Sequence, residues 1–209
     1  MNEYHKINSI YRRTERGEMI LGDFSCPEFE FLAANRWVAT EKIDGTNVRV
    51  MWTDSGIRFG GKTDAAQMPV FLFDRLGEIF AGAEDAFDPG ACLYGEGFGA
   101  RIQKGGGNYI SDGVDFVLFD VKVDDVWLER ENVEDIAAKL GLQIAPIVLM
   151  GTLYDAEGIA SEGFCSQWGA FAAEGLVMRP EVELQDRRGG RVITKIKTTD
   201  FARAIRDTQ

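Results

Sequence analysis

Short stretches in which β-branched and aromatic residues alternate with polar ones recur along the chain, and they predict strands more often than helices. Residues 36–43 (RWVATEKI) and 47–53 (NVRVMWT) form the first such pair, linked by Asp44-Gly45-Thr46. Asp54-Ser55-Gly56 reads as a hairpin turn into a strand over 57–61. Residues 91–96 predict another strand, followed by a glycine-rich loop from Gly97 to Tyr109. Residues 114–123 and 126–128 predict a second hairpin across Asp124-Asp125. The apolar run 144–150 predicts a buried strand, and 175–179 and 191–197 the last two.

Helical spacing is rarer. Pro69 opens a helix reaching about 81, with Val70, Phe73, Leu76 and Phe80 on its buried face. Asn132, with Asp135 three residues on, predicts a helix N-cap, and Gly141 ends that helix. Mixed helix follows 150 as far as Ala173, and 199–206 predicts a terminal helix. Strands and helices interleave without a regular βαβ period, which points to an α+β fold of antiparallel sheets. No repeat, low-complexity tract or linker divides the chain, so its 209 residues are expected to form one domain over 1–209.

Composition narrows the class. Hydrophobic residues at 45% and charged residues at 27% suit a globular protein. No apolar run approaches the roughly 18–20 residues of a membrane span. The opening residues are too polar for a secretory signal, so a cytoplasmic location is expected, with no membrane partner. Cys26, Cys92 and Cys165 are widely spaced and accompanied by one histidine, His5, which argues against a disulfide frame and a zinc site.

The net charge of −11 opposes simple nucleic-acid binding, but the charges are unevenly placed. Nine acidic residues lie between Asp112 and Asp135 against Lys122 and Arg130. Between Gln185 and Gln209 seven basic residues face Asp186, Asp200 and Asp207, and Arg12, Arg13 and Arg16 form another basic group. A cationic face on an acidic protein is compatible with that distribution, as are two unrelated solvated clusters.

Three strings carry chemistry. Lys42-Ile43-Asp44-Gly45-Thr46-Asn47 puts a lysine at a strand end before a tight link; alone it is a weak signal. Glu174-Gly175-Leu176-Val177-Met178-Arg179 puts a carboxylate at the mouth of an apolar strand. Lys195 and Lys197 share one face of a strand, an arrangement that is costly unless an anion sits between them. A triphosphate would be such an anion, and neighbouring cations would favour the neutral, nucleophilic form of Lys42.

In this order the strings resemble the motif series of covalent nucleotidyltransferases, the superfamily of DNA ligases, RNA ligases and mRNA-capping enzymes. The details EKIDGTN and YGEGFG (Tyr94–Gly99) are most similar to the RNA ligase 2 family, common in bacteriophages. The resemblance spans Trp37 to Lys197. It implies the nucleotidyltransferase fold, the ATP-grasp-like adenylation domain of DNA ligases, with antiparallel sheets around an adenylate pocket. It implies ATP and Mg²⁺ as cofactors, and ends of RNA or nicked duplex as partners.

Residue by residue, the resemblance makes Lys42 the nucleophile that takes AMP. Glu41 would contact the adenine edge, Asn47 position phosphate and Glu96 touch the ribose. Phe119 would stack on the adenine, with Phe116 the alternate, and Asp120 follows in the same motif. Glu174 would assist Lys42 and place the metal, and Lys195 and Lys197 would clamp the α-phosphate. Many relatives carry an arginine where this chain has Lys62, and either Lys62 or Arg58 could fill that role. The residues 103–107 suggest a loop near the phosphate or nucleic-acid path. Relatives continue into a further domain, whereas twelve residues follow Lys197 here, so a protein partner is expected to supply the missing grip. The alternatives are a DNA ligase, a GTP-using capping-type enzyme, or a non-catalytic nucleotide- or RNA-binding module. A dinucleotide fold is excluded, because the glycines at 95–97 run into Arg101-Ile102-Gln103-Lys104-Gly105, which cannot open a helix.

Overall fold

The structure, a computed structural model, describes residues 3–206. They fall into two compact units: one takes the chain up to His5 and Asp44–Ala145, the other Lys6–Ile43 and the chain from Pro146 on.

The second unit begins with β1 (Asn8–Ser9), β2 (Tyr11–Arg13), β3 (Met19–Phe24), α1 (Pro27–Leu32) and β4 (Trp37–Glu41). The strands before residue 36 carry too few alternating positions to be read from sequence. Every residue of β4 is buried, so its Val, Ala and Thr pack on both faces, as a central strand requires.

The first unit follows with β5 (Thr46–Thr53), β6 (Gly56–Gly60), α2 (Val70–Ile79), β7 (Ala91–Gly99), β8 (Val114–Val123), β9 (Val126–Trp127), α3 (Arg130–Leu140) and β10 (Gln143–Ile144). Its six-stranded sheet has the order β10-β8-β7-β5-β6, with β9 paired to β8. β4 and β5 therefore do not form a hairpin; Asp44-Gly45 carries the chain from one sheet to another. A side chain at Gly45 would meet the Gly97 carbonyl at 2.3 Å, which is why the link needs glycine. The core of this unit gathers Val48, Val50, Trp52, Leu72, Leu76, Leu93, Phe116 and Leu118.

Two expectations for its helices change. On α2, Leu72 and Leu76 are the buried residues, while Val70 is 74% and Phe73 49% exposed. The segment is apolar on several sides, so spacing alone left two possible faces. α3 starts at Arg130 rather than after Asn132, and its N-cap Glu129 makes no side-chain bond. Tertiary contact fixes that start: the Arg130 guanidinium donates to the Ala145 carbonyl at 3.0 Å. Gly141 does close the helix, at φ 65°, in the left-handed region glycine tolerates.

The chain returns to the second unit through β11 (Ile147–Gly151), α4 (Leu153–Glu162), β12 (Gly175–Pro180), β13 (Thr194–Lys197), a 3₁₀ turn (Thr198–Arg203) and β14 (Ile205–Arg206). The strand expected over 144–150 is thus two strands in different sheets, broken at Ala145-Pro146, where proline offers no N–H to a ladder. The terminal helix expected over 199–206 is a 3₁₀ turn followed by a strand. Residues 207–209 and the Arg206 side chain, part of the expected basic tail, lie outside the described residues. The five-stranded sheet runs β1-β13-β12-β4-β11, and a third sheet runs β14-β3-β2. Most pairs are antiparallel; the short strands β1, β10 and β14 pair in parallel. The fold is α+β.

Candidate active site

In the second unit, Lys42 follows the last residue of β4. Its backbone N–H donates to the Gly175 carbonyl at 2.9 Å, and Thr198 donates to the Glu174 carbonyl at 3.0 Å. These bonds clip the start of β12 to the end of β4 and to the residue after β13. The three side chains converge there. Lys42 Nζ lies 2.6 Å from Glu174 Oε2, and Lys197 Nζ 2.6 Å from Glu174 Oε1. Lys42 and Glu174 are mostly covered, with side chains 21% and 15% exposed. Gly175 sits at φ 155°, and a Cβ there would meet the Ile196 carbonyl at 2.1 Å. Only glycine lets β13 come close enough to bring Lys197 beside Glu174.

Lys195 and Lys197 alternate with buried Thr194 and Ile196, so both lie on the face turned away from the core. The expected anion between two lysines exists, but it is Glu174 and it joins Lys42 to Lys197. Each oxygen of Glu174, the residue expected to place the metal, holds an ammonium group. Among the described residues no group of three or more His, Cys, Asp or Glu side chains could hold a metal ion.

Glu41 is engaged within the same unit. It is 2% exposed, with Oε1 accepting from the Ser166 hydroxyl at 2.5 Å and Oε2 from the Gln167 backbone N–H at 2.8 Å. A carboxylate with both oxygens engaged in this way anchors the 166–167 segment. No feature of the sequence around Ser166 marks it as that partner.

Arg13, counted among the free basic residues from sequence, bonds Asp200 Oδ2 at 2.7 Å; the same oxygen accepts the Lys197 backbone N–H at 3.1 Å. Arg12 pairs with Asp23 and Arg191 with Glu183. Arg187 and Arg188 remain exposed, in a turn bridged by Gln185 and Arg191.

The first unit holds the other expected site residues. Asn47 and Glu96 are directly paired across β5 and β7, both half-buried. The buried Oδ1 of Asn47 has no hydrogen-bond partner, a costly state for a protein atom unless a ligand satisfies it. Phe116 is 1% exposed and belongs to the core. A Cβ on Gly95 would come within 2.2 Å of its ring. Phe119 is the half-buried ring of the two. Asp120 is fully buried and accepts the Tyr4 hydroxyl at 2.6 Å.

Lys62 and Arg58 are both exposed. Arg58 lines a cavity of about 360 Å³ with Arg49, Met51, Thr53 and Asp64. Arg49, which the sequence did not single out, is fully buried on β5 and bonds the Gly61 carbonyl and Asp64 Oδ1, each at 2.7 Å. It thereby grips both sides of Lys62. The 103–107 segment is not a free loop: Gln103 donates to the Gly45 carbonyl at 3.1 Å, and the Tyr109 hydroxyl accepts from Asp44 N–H at 3.2 Å.

The comparisons bear on this arrangement. The family described as RNA ligase matches residues 35–197, which contain every site residue named above except Tyr4, Arg12, Arg13, Asp23, Thr198 and Asp200. No curated protein sequence matches the chain at a significant level. Among solved structures, the chain is similar to an RNA ligase of Naegleria gruberi with pyrophosphate, at 20% identity and a TM-score of 0.66, covering 95% of this chain and 62% of that one. A structure of that ligase with ATP and Mn gives 21% identity and a TM-score of 0.65, over 84% and 52%. The chain thus spans little more than half the length of the ligases it matches. The family match covers most of the chain and the similar structures share its fold, and on these grounds the chain belongs to the RNA ligase family.

Proposed function

We propose that this chain is an ATP-dependent RNA ligase that joins 5′-phosphate and 3′-hydroxyl ends through an AMP carried on Lys42. The observation that carries the reading is the Lys42–Glu174–Lys197 chain, with both contacts at 2.6 Å. A lysine amine becomes a nucleophile only after losing a proton, and Glu174 Oε2 is in contact to receive it. Lys42 Nζ attacks the α-phosphorus of ATP; the N–P bond forms as the bond from that phosphorus to pyrophosphate breaks. Lys197 and Lys195 stabilise the charge that grows on the phosphate oxygens. Once Glu174 is protonated, Lys197 is freed from its pairing to meet that charge. An oxygen of the RNA 5′-phosphate then displaces Lys42 from the α-phosphorus, and a 3′-hydroxyl attacks the end phosphorus as AMP leaves.

In the first unit, Phe119 supplies an aromatic face for the adenine, worth about 1–3 kcal/mol in related base-stacking contacts. Glu96 is assigned to the ribose and Lys62 to phosphate. Asn47 is suited to the nucleotide because its buried Oδ1 needs a donor, which a sugar hydroxyl provides. A divalent cation such as Mg²⁺ would neutralise the triphosphate, and a structure of the Naegleria ligase holds ATP and Mn, but no step above depends on one.

The test is incubation with α-labelled ATP and Mg²⁺, then a denaturing gel. Label on the wild type and none on Lys42→Ala, with equal folding by circular dichroism, is the expected result. Label retained on Lys42→Ala would place the nucleophile elsewhere. Label from GTP alone would point to capping chemistry.

A further inference from the structure

Residues Glu3–His5 belong to the first unit although Lys6–Ile43, in the other unit, separate them from the rest of it in sequence. Tyr4 is 6% exposed. Its hydroxyl donates to Asp120 Oδ2 at 2.6 Å, and its ring meets Phe119 edge-on at a centroid distance of 5.2 Å. The same ring packs against Tyr94 at 5.1 Å and Trp127 at 5.8 Å.

The register of β8 shows why this contact matters. Tyr94 pairs with Asp120 and Gly95 with Leu118, so Phe119 is the extra residue of a β-bulge. At a bulge the ladder no longer dictates where a side chain points. Phe119 is held instead by Tyr4, which touches its ring and bonds the residue that follows it. Glu3 adds a second anchor. Its Oε1 accepts the Asp64 backbone N–H at 3.0 Å, and Asp64 is in turn held by Arg49 beside Lys62.

From this geometry we infer that Tyr4 is a positioning residue, which fixes the Phe119 ring so that an adenine can stack on it. The inference rests on the assignment of Phe119 made above. Tyr4 touches no substrate; it acts through the bulge. Loss of the Tyr4 ring should weaken whatever binds through its base and leave binding through phosphate untouched.

Pyrophosphate, which has no base, is the internal control. The affinities of the full chain for ATP and pyrophosphate are measured by calorimetry, and the ATP dependence of lysyl-AMP formation by quenched labelling. Tyr4→Ala should weaken ATP binding and raise KM about tenfold, part of what a base–aromatic contact supplies. Its maximal rate and pyrophosphate affinity should stay within about threefold. Tyr4→Phe keeps the ring and loses the bond to Asp120, so an intermediate effect is expected; it serves as the decisive variant if Tyr4→Ala does not fold. Unchanged ATP affinity, or equal losses for ATP and pyrophosphate, would overturn the inference. Phe119→Leu separates the two levels: if it leaves ATP binding unchanged, the assignment of Phe119 fails. If it weakens ATP while neither Tyr4 variant does, only the role of Tyr4 fails.

Discussion

Replacing Glu174 by alanine separates what the ion-pair chain does for folding from what it does for chemistry. Glu174 contacts Lys42 and Lys197 at 2.6 Å each, and the side chains are 15%, 21% and 41% exposed. Each freed ammonium group can take up water, so the pairing should add only about 1 kcal/mol or less to stability. The chemical loss is of another size. Lys42 would lose the group that receives its proton, a contribution of about 10²–10⁴ in rate, and would swing on a four-carbon stem with no fixed partner. Lysyl-AMP formation should therefore slow by about a hundredfold to ten-thousandfold, or about 3–5 kcal/mol of barrier. Glu174→Gln keeps one acceptor without the charge and should fall between alanine and wild type. Single-turnover labelling gives the rate, and a thermal melt run in parallel gives the stability. A folded Glu174→Ala protein labelling within threefold of wild type would refute the role drawn for the carboxylate.

Lys195→Ala and Lys197→Ala should each slow adenylylation by more than about a hundredfold, with arginine rescuing only partly, since its fork does not reproduce an ammonium point charge; normal labelling by both would mean the shared face meets only solvent. Single-stranded RNA binding should be weak and salt-dependent, and Arg187→Ala with Arg188→Ala should lower the slope of log K against log salt by about 1.4 if both touch phosphate. An unchanged slope would move the contact elsewhere. Among the thiols, exposed Cys165 should react promptly with a disulfide reagent at pH 8, while buried Cys92 should not. Burial pushes the Cys92 thiol up to about 11, so its reactive thiolate is scarce until the pH approaches that value. Prompt labelling at Cys92 in the folded protein would contradict its burial.

What could be read from the sequence was whatever depends on local spacing. The two-residue period puts Lys195 and Lys197 on one face, and the glycine at 141 closes its helix as expected. The motif strings identified Lys42 and Glu174 without showing that they touch. What could not be read depends on contacts between distant segments. Glu41 and Asp120 are carboxylates on strands, and sequence does not say which buried hydroxyls such groups meet; here they are those of Ser166 and Tyr4. Leu72 rather than Phe73 is buried on α2 because the sheet, not the helix, selects the face. Arg49 escaped notice because a buried guanidinium has no local signature; its partners are the Gly61 carbonyl and Asp64, on the loop after β6.

The contact between Gly95 and Phe116 bears on how this sequence can change over generations. The ring occupies the space a side chain at 95 would need, within 2.2 Å of its first atom. The Val117 backbone carbonyl lies 2.3 Å from the same point, so a methyl group there has nowhere to go even if the ring gives way, and overpacking of this kind costs about 1–3 kcal/mol. Backbone as well as ring therefore holds glycine at 95: alanine there should be selected against whatever occupies 116. A suppressor screen starting from Gly95→Ala would be expected to return reversion to glycine before changes at 116. Descendants would keep glycine one residue before Glu96, a constraint on that strand imposed by packing alone, whatever nucleotide or RNA the protein meets.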